Sequence, residues 1–291
     1  MNDAHPWLRH YDPGVPASID YPDVPLSHFL EDAARKYPDQ PCTVFEDQAV
    51  SYQRMNALAD RLAAGLVRRG HQVITVDMLG HGASDQPDDM PAYSMPQFGA
   101  DVIALLDHLG LAQAVIGGTS LGANVALEVA CAAPERVRAL VLEMPVLENA
   151  LPAAAAAFVP LALALRVSQR GMRVISAVTR RLPRTSFLVD TMIDFVRRDP
   201  ASSLAVLDGL IFGRVAPPIE ERRALAHPTL VIGHPSDPIH PFSDADRIAR
   251  ELPNARIVTA SSIAEWRLRP ARLDRELAGF LDEVWALRAV A

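Results

Sequence analysis

The 291-residue sequence predicts an α/β fold built on a mostly parallel, doubly wound sheet. From residue 71 onward, short apolar runs rich in β-branched residues alternate with longer stretches of helical periodicity. One such run, AVIGG, passes through a glycine turn directly into the helical stretch SLGANVALEVACAAP. Because strands joined by crossover helices pair in parallel, helices should cover both faces of the sheet.

The individual elements follow in chain order. Before residue 71, the sequence predicts a helix in LSHFLEDAARKYP, two short strands in CTVFEDQAVSY, and a helix in MNALADRLAAGLVRRG that ends at Gly70. Predicted strands after that point are HQVITVDM, AVIGG, VRALVLEMP, HPTLVIGHP and ARIVTAS. Predicted helices are MPQFGADVIALLDHLG, SLGANVALEVACAAP, SDADRIARELP and RPARLDRELAGFLDEVWALRA.

Composition narrows the classes of function. The net charge of −7 gives no electrostatic footprint for nucleic acid, so no nucleic-acid partner is expected. Cys42 and Cys131 form no metal-type cluster and fit a reduced, cytoplasmic setting, and no cofactor is expected. The most apolar stretch, residues 151–167, is short for a membrane span and contains Pro152 and Pro160. A buried or lid helix is the preferred interpretation.

The segment GGTSLGAN, residues 117–124, places Ser120 between Gly118 and Gly122. Glycines at both flanks allow the sharp turn that lifts a serine hydroxyl to the carboxyl end of a sheet. The helix that begins there points free N–H groups at the site, so the Leu121 N–H is a candidate oxyanion donor. The alternative is an ordinary strand-to-helix turn with an inert serine.

Three motifs resemble those of the α/β-hydrolase superfamily over residues 71–291. They are VDMLGHGASDQP at 76–87, GGTSLGAN at 117–124 and LVIGHPSDPIHP at 230–241. The resemblance implies that Ser120 is the nucleophile and Asp237 the triad acid. It also implies a helical lid over residues 146–226, whose apolar content suits an apolar acyl or aromatic substrate or serves only for packing. Without the resemblance, Asp237 in an Asp-Pro pair is a common turn former.

The histidine that the resemblance implies after the last strand is missing. The corresponding loop, TASSIAEWRLRP, contains none, and no histidine follows His240. A serine hydroxyl without an adjacent base is a weak nucleophile. Four residues are candidate substitutes: His240, which ranks first, His234, His81 and Glu265. For each of the three histidines, His240 included, a structural role is preferred over catalysis, and Glu265 would be a weak base. The superfamily's His-Gly oxyanion loop is also missing.

Residues 11–70 resemble the opening of an AMP-forming acyl-CoA synthetase, from YDPGVPASIDYPDVPL to SYQRMNALADRLAAGL. This predicts an atypical N-terminal segment, residues 1–70, joined to a hydrolase domain over 71–291. Lys36 is the only lysine, and the phosphate loop of that family is absent, so no ligase chemistry carries over. The strand at Thr43–Phe45 either replaces the third strand of the hydrolase sheet or belongs to a separate lobe.

Three hypotheses of function result. The first is a serine hydrolase acting on a small ester or related acyl compound with an apolar group, using Ser120, Asp237 and His240. Its activity would be weak if no histidine served as the base. The second is a non-catalytic protein that binds an apolar ligand or partner on a hydrolase fold, and the third is a truncated acyl-activating protein.

Overall fold

The computed structural model describes residues 41–45, 48–51, 66, 70–81, 84–167, 169–179 and 199–286. Within these ranges, four parallel strands form the main sheet in the order β3-β4-β5-β6. They are β3 Ala114–Thr119, β4 Val137–Glu143, β5 Thr229–Gly233 and β6 Ala255–Thr259. The alternation of strands and helices thus folds as predicted, with a parallel sheet.

Helices cover both faces of this sheet. The longer ones are α1 Met95–His108, α2 Leu121–Ala132, α3 Leu151–Val167, α4 Gln169–Thr179, α5 Pro200–Phe212, α7 Phe242–Glu251 and α9 Ala271–Ala286. Two short helices are α6 Ile219–Arg223 and α8 Glu265–Leu268. The central strands β4 and β5 are mostly apolar, and nearly all of their residues are buried, as a doubly wound sheet requires.

Alternate residues of the central strands feed two separate cores. Leu140, Leu142 and Val231 pack with side chains of α1, α2 and α7. Ala139, Val141, Leu230 and Ile232 face the other way, toward Leu277 and Phe280 of α9. This period-two division follows from the pleat of a strand and fixes the register of the sheet. It also fixes which residues stand at the carboxyl edge, where Thr119 pairs with Glu143.

Helices α3 to α6 form an insert between β4 and β5, at the position where a lid was predicted. Asn124 of α2, a buried residue, binds the insert at two points, one before α3 and one between α5 and α6. Its amide nitrogen donates to the carbonyls of Val146 and Val215 at 2.8 and 2.6 Å, and its amide oxygen accepts from the Val146 N–H. The insert is therefore tied to the helix that begins at Ser120.

One prediction for the N-terminal part, the strand over residues 71–78, differs from the structure. Residues 71–78 form no strand, and Val73, Ile74 and Val76 are exposed. A strand needs a neighbour, and among the described residues the main sheet ends at β3, so the β-rich composition of 71–78 has no strand beside it. The predicted strand pair does form, as β1 Pro41–Phe45 and β2 Gln48–Ser51, but in a separate antiparallel sheet.

The other N-terminal predictions lie largely outside the described residues. These are the helix in LSHFLEDAARKYP and most of the helix that precedes Gly70. Gly70 itself has a φ of +84°, and the His71 N–H donates to the Leu66 carbonyl at 3.0 Å. This is the predicted glycine stop at a helix C-terminus. In the described part of the chain, every helix is too short or too polar to cross a bilayer.

Candidate active site

Ser120 occupies a strained turn between β3 and α2. Its φ of 55° and ψ of −112° lie outside the regions that non-glycine residues favour. Gly118 makes the turn possible, because a Cβ there would lie 2.5 Å from the carbonyl carbon of Gly122. The Ser120 N–H donates to the Glu143 carbonyl at 2.8 Å, which ties the turn to the end of β4. The geometry is that of the sharp nucleophile turn predicted from GGTSLGAN.

Substituting alanine for Gly118 should destabilise the fold. The added methyl group collides with backbone atoms rather than with a flexible side chain, so we expect the free energy of unfolding to fall by about 1–3 kcal/mol. Gly122→Ala is the matched control, because a Cβ at that position meets nothing within 4 Å. Urea unfolding of the two variants measures the difference. Equal stabilities would show that the close approach of residues 118 and 122 is not a constraint.

His240 and Asp237 complete a chain of hydrogen bonds that begins at Ser120. The Ser120 Oγ lies 2.8 Å from the His240 Nε2, and the His240 Nδ1 lies 3.1 Å from the Asp237 Oδ2. A carboxylate only accepts, so the Nδ1 carries the hydrogen, and the Nε2 is left to accept from the serine hydroxyl. This is the tautomer that a general base requires.

One tight turn after β5 positions both the acid and the base. The Asp237 Oδ1 accepts from the backbone N–H groups of Ile239 and His240, at 2.8 and 2.9 Å. Burial would raise the pKa of Asp237, but the bond from the His240 side chain and these two backbone bonds outweigh it and lower that pKa. Asp237 therefore has two roles. One carboxylate oxygen stabilises the turn, and the other accepts the hydrogen bond that orients the His240 ring.

A second, buried cluster lies behind the serine, centred on Glu143 at the end of β4. The carboxylate of Glu143 accepts from the Thr119 hydroxyl, from the Arg267 Nη1 at 2.6 Å and from the His234 Nε2 at 2.9 Å. The His234 Nδ1 faces the Ser262 carbonyl at 3.0 Å. Both nitrogens of His234 thus face acceptors, so both bonds form only when the ring carries two hydrogens. The cluster connects the last residues of β3 and β4 with residues that follow β5 and β6.

The Glu143 cluster makes an acid-sensitive contribution to stability. Burial would raise the pKa of Glu143, but the bonds from His234, Arg267 and Thr119 lower it from 4.5 to about 2. The unfolded chain therefore binds more protons as the pH falls below about 4.5. We expect a contribution on the order of 3 kcal/mol that is complete above this pH and is lost toward pH 2.

The measurement is the free energy of unfolding as a function of pH for the wild type and for Glu143→Gln. The variant cannot ionise at this position, so the difference between the two proteins should shrink as the pH falls through this range. A constant difference would contradict the assignment.

Comparison with known proteins decides the family. A family model described as the alpha/beta hydrolase fold matches residues 52–262. The chain belongs to the α/β-hydrolase family. It is 29% identical over 240 residues to 2-hydroxymuconate semialdehyde hydrolase of Pseudomonas putida, which covers 75% of this chain and 79% of that protein.

Solved structures show the same fold. The enol-lactonase of Burkholderia xenovorans superposes with a TM-score of 0.56 at 22% identity, over 76% of this chain and 86% of that one. The meta-cleavage product hydrolase of Pseudomonas fluorescens superposes with a TM-score of 0.57 at 21% identity, over 80% of this chain and 86% of that one. The comparisons do not support the resemblance of residues 11–70 to acyl-CoA synthetases, and the hydrolase match itself begins within that segment, at residue 52.

In this α/β hydrolase, the segment that follows β6 contains no histidine. Arg267 from that segment binds Glu143. Glu265, which was weighed as a weak base, binds Arg272 and accepts from the Ser261 N–H. The bond from Arg272, and then the bonds from Ser261, outweigh desolvation and lower the pKa of Glu265 to about 2, which makes it a poor proton acceptor.

The structure also gives the positions of the other predicted site residues, His234, His81 and Leu121. His234 is buried in the Glu143 cluster, and the His81 Nδ1 lies 3.0 Å from the Leu79 carbonyl in a turn, so both have the structural contacts preferred for them. Leu121 begins α2, where an N–H has no acceptor inside the helix, as an oxyanion donor requires.

The sequence did not lead us to predict the cluster of Thr119, Glu143 and Arg267. A glutamate at the end of the apolar run VRALVLE was the available signal, because a charge that follows a buried strand needs partners.

Burial raises the pKa of the Cys131 thiol to about 11, with Glu221 and Glu128 adding to the effect, so this cysteine is a poor nucleophile near neutral pH. A search of the described residues finds no cluster of histidine, cysteine or acidic residues that could hold a metal ion.

Proposed function

We propose that this α/β hydrolase is a serine hydrolase that cleaves an ester or a related acyl compound with an apolar group. The observation that carries the proposal is the unbroken chain from Ser120 through His240 to Asp237, with contacts of 2.8 and 3.1 Å. Serine, histidine and aspartate follow each other in this way in unrelated hydrolases, and the constellation is recognised by geometry rather than by position in the sequence.

In the proposed reaction, the Ser120 Oγ attacks the carbonyl carbon of the substrate while the His240 Nε2 takes the hydroxyl proton. The Leu121 N–H and the positive end of the α2 dipole stabilise the negative charge that develops on the carbonyl oxygen. His240 then donates its proton to the leaving oxygen, and the acyl group stays on Ser120. A water molecule that His240 deprotonates releases the acid and restores the serine.

The position of His240 explains how the chain dispenses with a histidine after its last strand. Asp237 and His240 share one turn, and the turn follows β5, which is separated from the serine strand only by β4. The imidazole therefore needs to reach across one strand. The segment after β6, which has no histidine, binds Glu143 through the Arg267 guanidinium.

The chemistry of the relatives and the composition of the insert support an acyl substrate with an apolar group. The related proteins include a 2-hydroxymuconate semialdehyde hydrolase and an enol-lactonase, both hydrolases by name. In the insert, Ala162, Leu165, Met172 and Leu207 form an apolar cluster of their own. An insert of this composition offers little to a strongly polar acyl group.

Hydrolysis of p-nitrophenyl esters, from acetate to octanoate, tests the proposal. We expect release of nitrophenolate by the wild type, with complete inhibition by a fluorophosphonate that reacts with activated serines. Folded protein that hydrolyses none of these esters and resists the inhibitor would contradict the proposal. That result would favour the non-catalytic alternative, in which the same fold only binds an apolar ligand.

A further inference from the structure

The insert exposes apolar side chains along one side of two consecutive helices. On α3, the exposed positions Ala156, Pro160, Leu163 and Val167 recur at the spacing of one helical stripe. On α4, Val174, Ile175 and Val178 share one face. Val167 is 85% exposed and Val174 is 65% exposed, although large aliphatic side chains of a globular protein are normally covered.

A further exposed apolar residue of the insert is Phe212, at the end of the neighbouring helix α5. The helices α3 and α4 contact each other and both contact α5, which ends at Phe212. The Arg166 guanidinium lies 5.6 Å from the Phe212 ring centre and binds Asp208, so it joins the end of α3 to the end of α5. We call this surface the insert face; it consists of Leu163, Val167, Val174, Ile175, Val178 and Phe212.

The part of the sequence that contains α3 and α4 carries charges of one sign only. Between Asn149 and Val189 the sequence carries six arginines and no acidic residue. The whole chain has a net charge of −7, so the remainder of the molecule is strongly acidic. Of these arginines, Arg166 and Arg173 are exposed on α3 and α4. Arginines beside exposed apolar side chains on a helix are typical of a helix that lies in a lipid–water interface. The acidic remainder would turn away from an anionic membrane, which leaves the insert facing it.

We propose that the insert face docks on an anionic lipid surface. The apolar side chains enter the boundary between headgroups and acyl chains, and the arginines contact the lipid phosphates. A second copy of this chain is a poorer occupant, because two insert faces would bring together arginine clusters of the same sign. The proposal does not depend on the proposed hydrolase activity.

Flotation with vesicles tests the proposal, using the full chain with Ser120→Ala so that no lipid ester is cleaved. We expect the protein to float with phosphatidylcholine vesicles that contain phosphatidylglycerol, and to bind less as salt rises. Val167→Ser combined with Val174→Ser should lower the partition coefficient tenfold or more. Arg173→Glu, on the exposed side of α4, should lower it about fivefold or more on the anionic vesicles only.

Leu109→Ser is the matched control. Leu109 is an exposed aliphatic residue at the end of α1, away from the insert, and its substitution should leave binding unchanged. Binding that the paired valine substitution does not reduce, or absence of flotation with anionic vesicles at low salt, would overturn the proposal. A dimer in sedimentation analysis that the paired substitution dissociates would also overturn it, in favour of a second copy.

Discussion

Replacing His240 with alanine is expected to lower kcat for ester hydrolysis by about 10⁴-fold or more, with little change in KM. The Ser120 hydroxyl has its imidazole contact at the His240 Nε2, and without that base it remains a weak nucleophile. Stability should change little, because the ring is partly exposed and Asp237 keeps its two backbone bonds. The measurement is steady-state hydrolysis of a p-nitrophenyl ester.

Two controls make this result specific to the base. His227→Ala removes a histidine at the opposite end of β5, where the ring faces the Pro134 carbonyl, and should leave kcat unchanged. Added imidazole should restore part of the activity of His240→Ala, because a diffusible base can occupy the space beside Ser120. A variant that keeps wild-type kcat would mean that another group takes the serine proton.

Replacing Ser120 with alanine should remove the covalent route entirely, with a loss of about 10⁴–10⁶-fold in kcat. The fold should persist, because the hydroxyl bond to His240 lies at the end of a side chain, while the backbone of the turn remains tied to Glu143. Alanine also tolerates the turn no worse than serine, since both carry a Cβ at the same positive φ. The loss should therefore appear in kcat at unchanged thermal stability.

Ser262→Ala is the matched control for this variant. Ser262 serves the Glu143 cluster through its backbone carbonyl, which alanine keeps. Its kcat should match that of the wild type. Equal activity of Ser120→Ala and Ser262→Ala would exclude Ser120 as the nucleophile.

Much of the fold was predictable because local pattern and global packing agree in this chain. The buried strands VRALVLE and TLVIG are mostly apolar, and the glycines of GGTSLGAN predict a sharp turn at Ser120. The strand predicted at HQVITVDM fails for a different reason. Its composition favours a strand, but a strand also requires a neighbour, and composition cannot supply one.

The candidate site was predictable where neighbours in sequence are neighbours in space. Asp237 and His240 are three residues apart, and the Asp-Pro turn former brings carboxylate and imidazole together. The Glu143 cluster depends instead on residues at or just beyond the ends of four strands, which meet at the carboxyl edge of the sheet. Its members are widely separated in sequence, so the register of the strands, and not local spacing, assembles them.

Covalent labelling with a fluorophosphonate, followed by mass mapping of the modified peptide, tests the Ser120–His240–Asp237 assignment most directly. A single adduct on Ser120 is expected in the wild type and in His227→Ala, with labelling slowed strongly in His240→Ala. An adduct on a different residue, or equal labelling rates with and without the imidazole at position 240, would contradict the assignment.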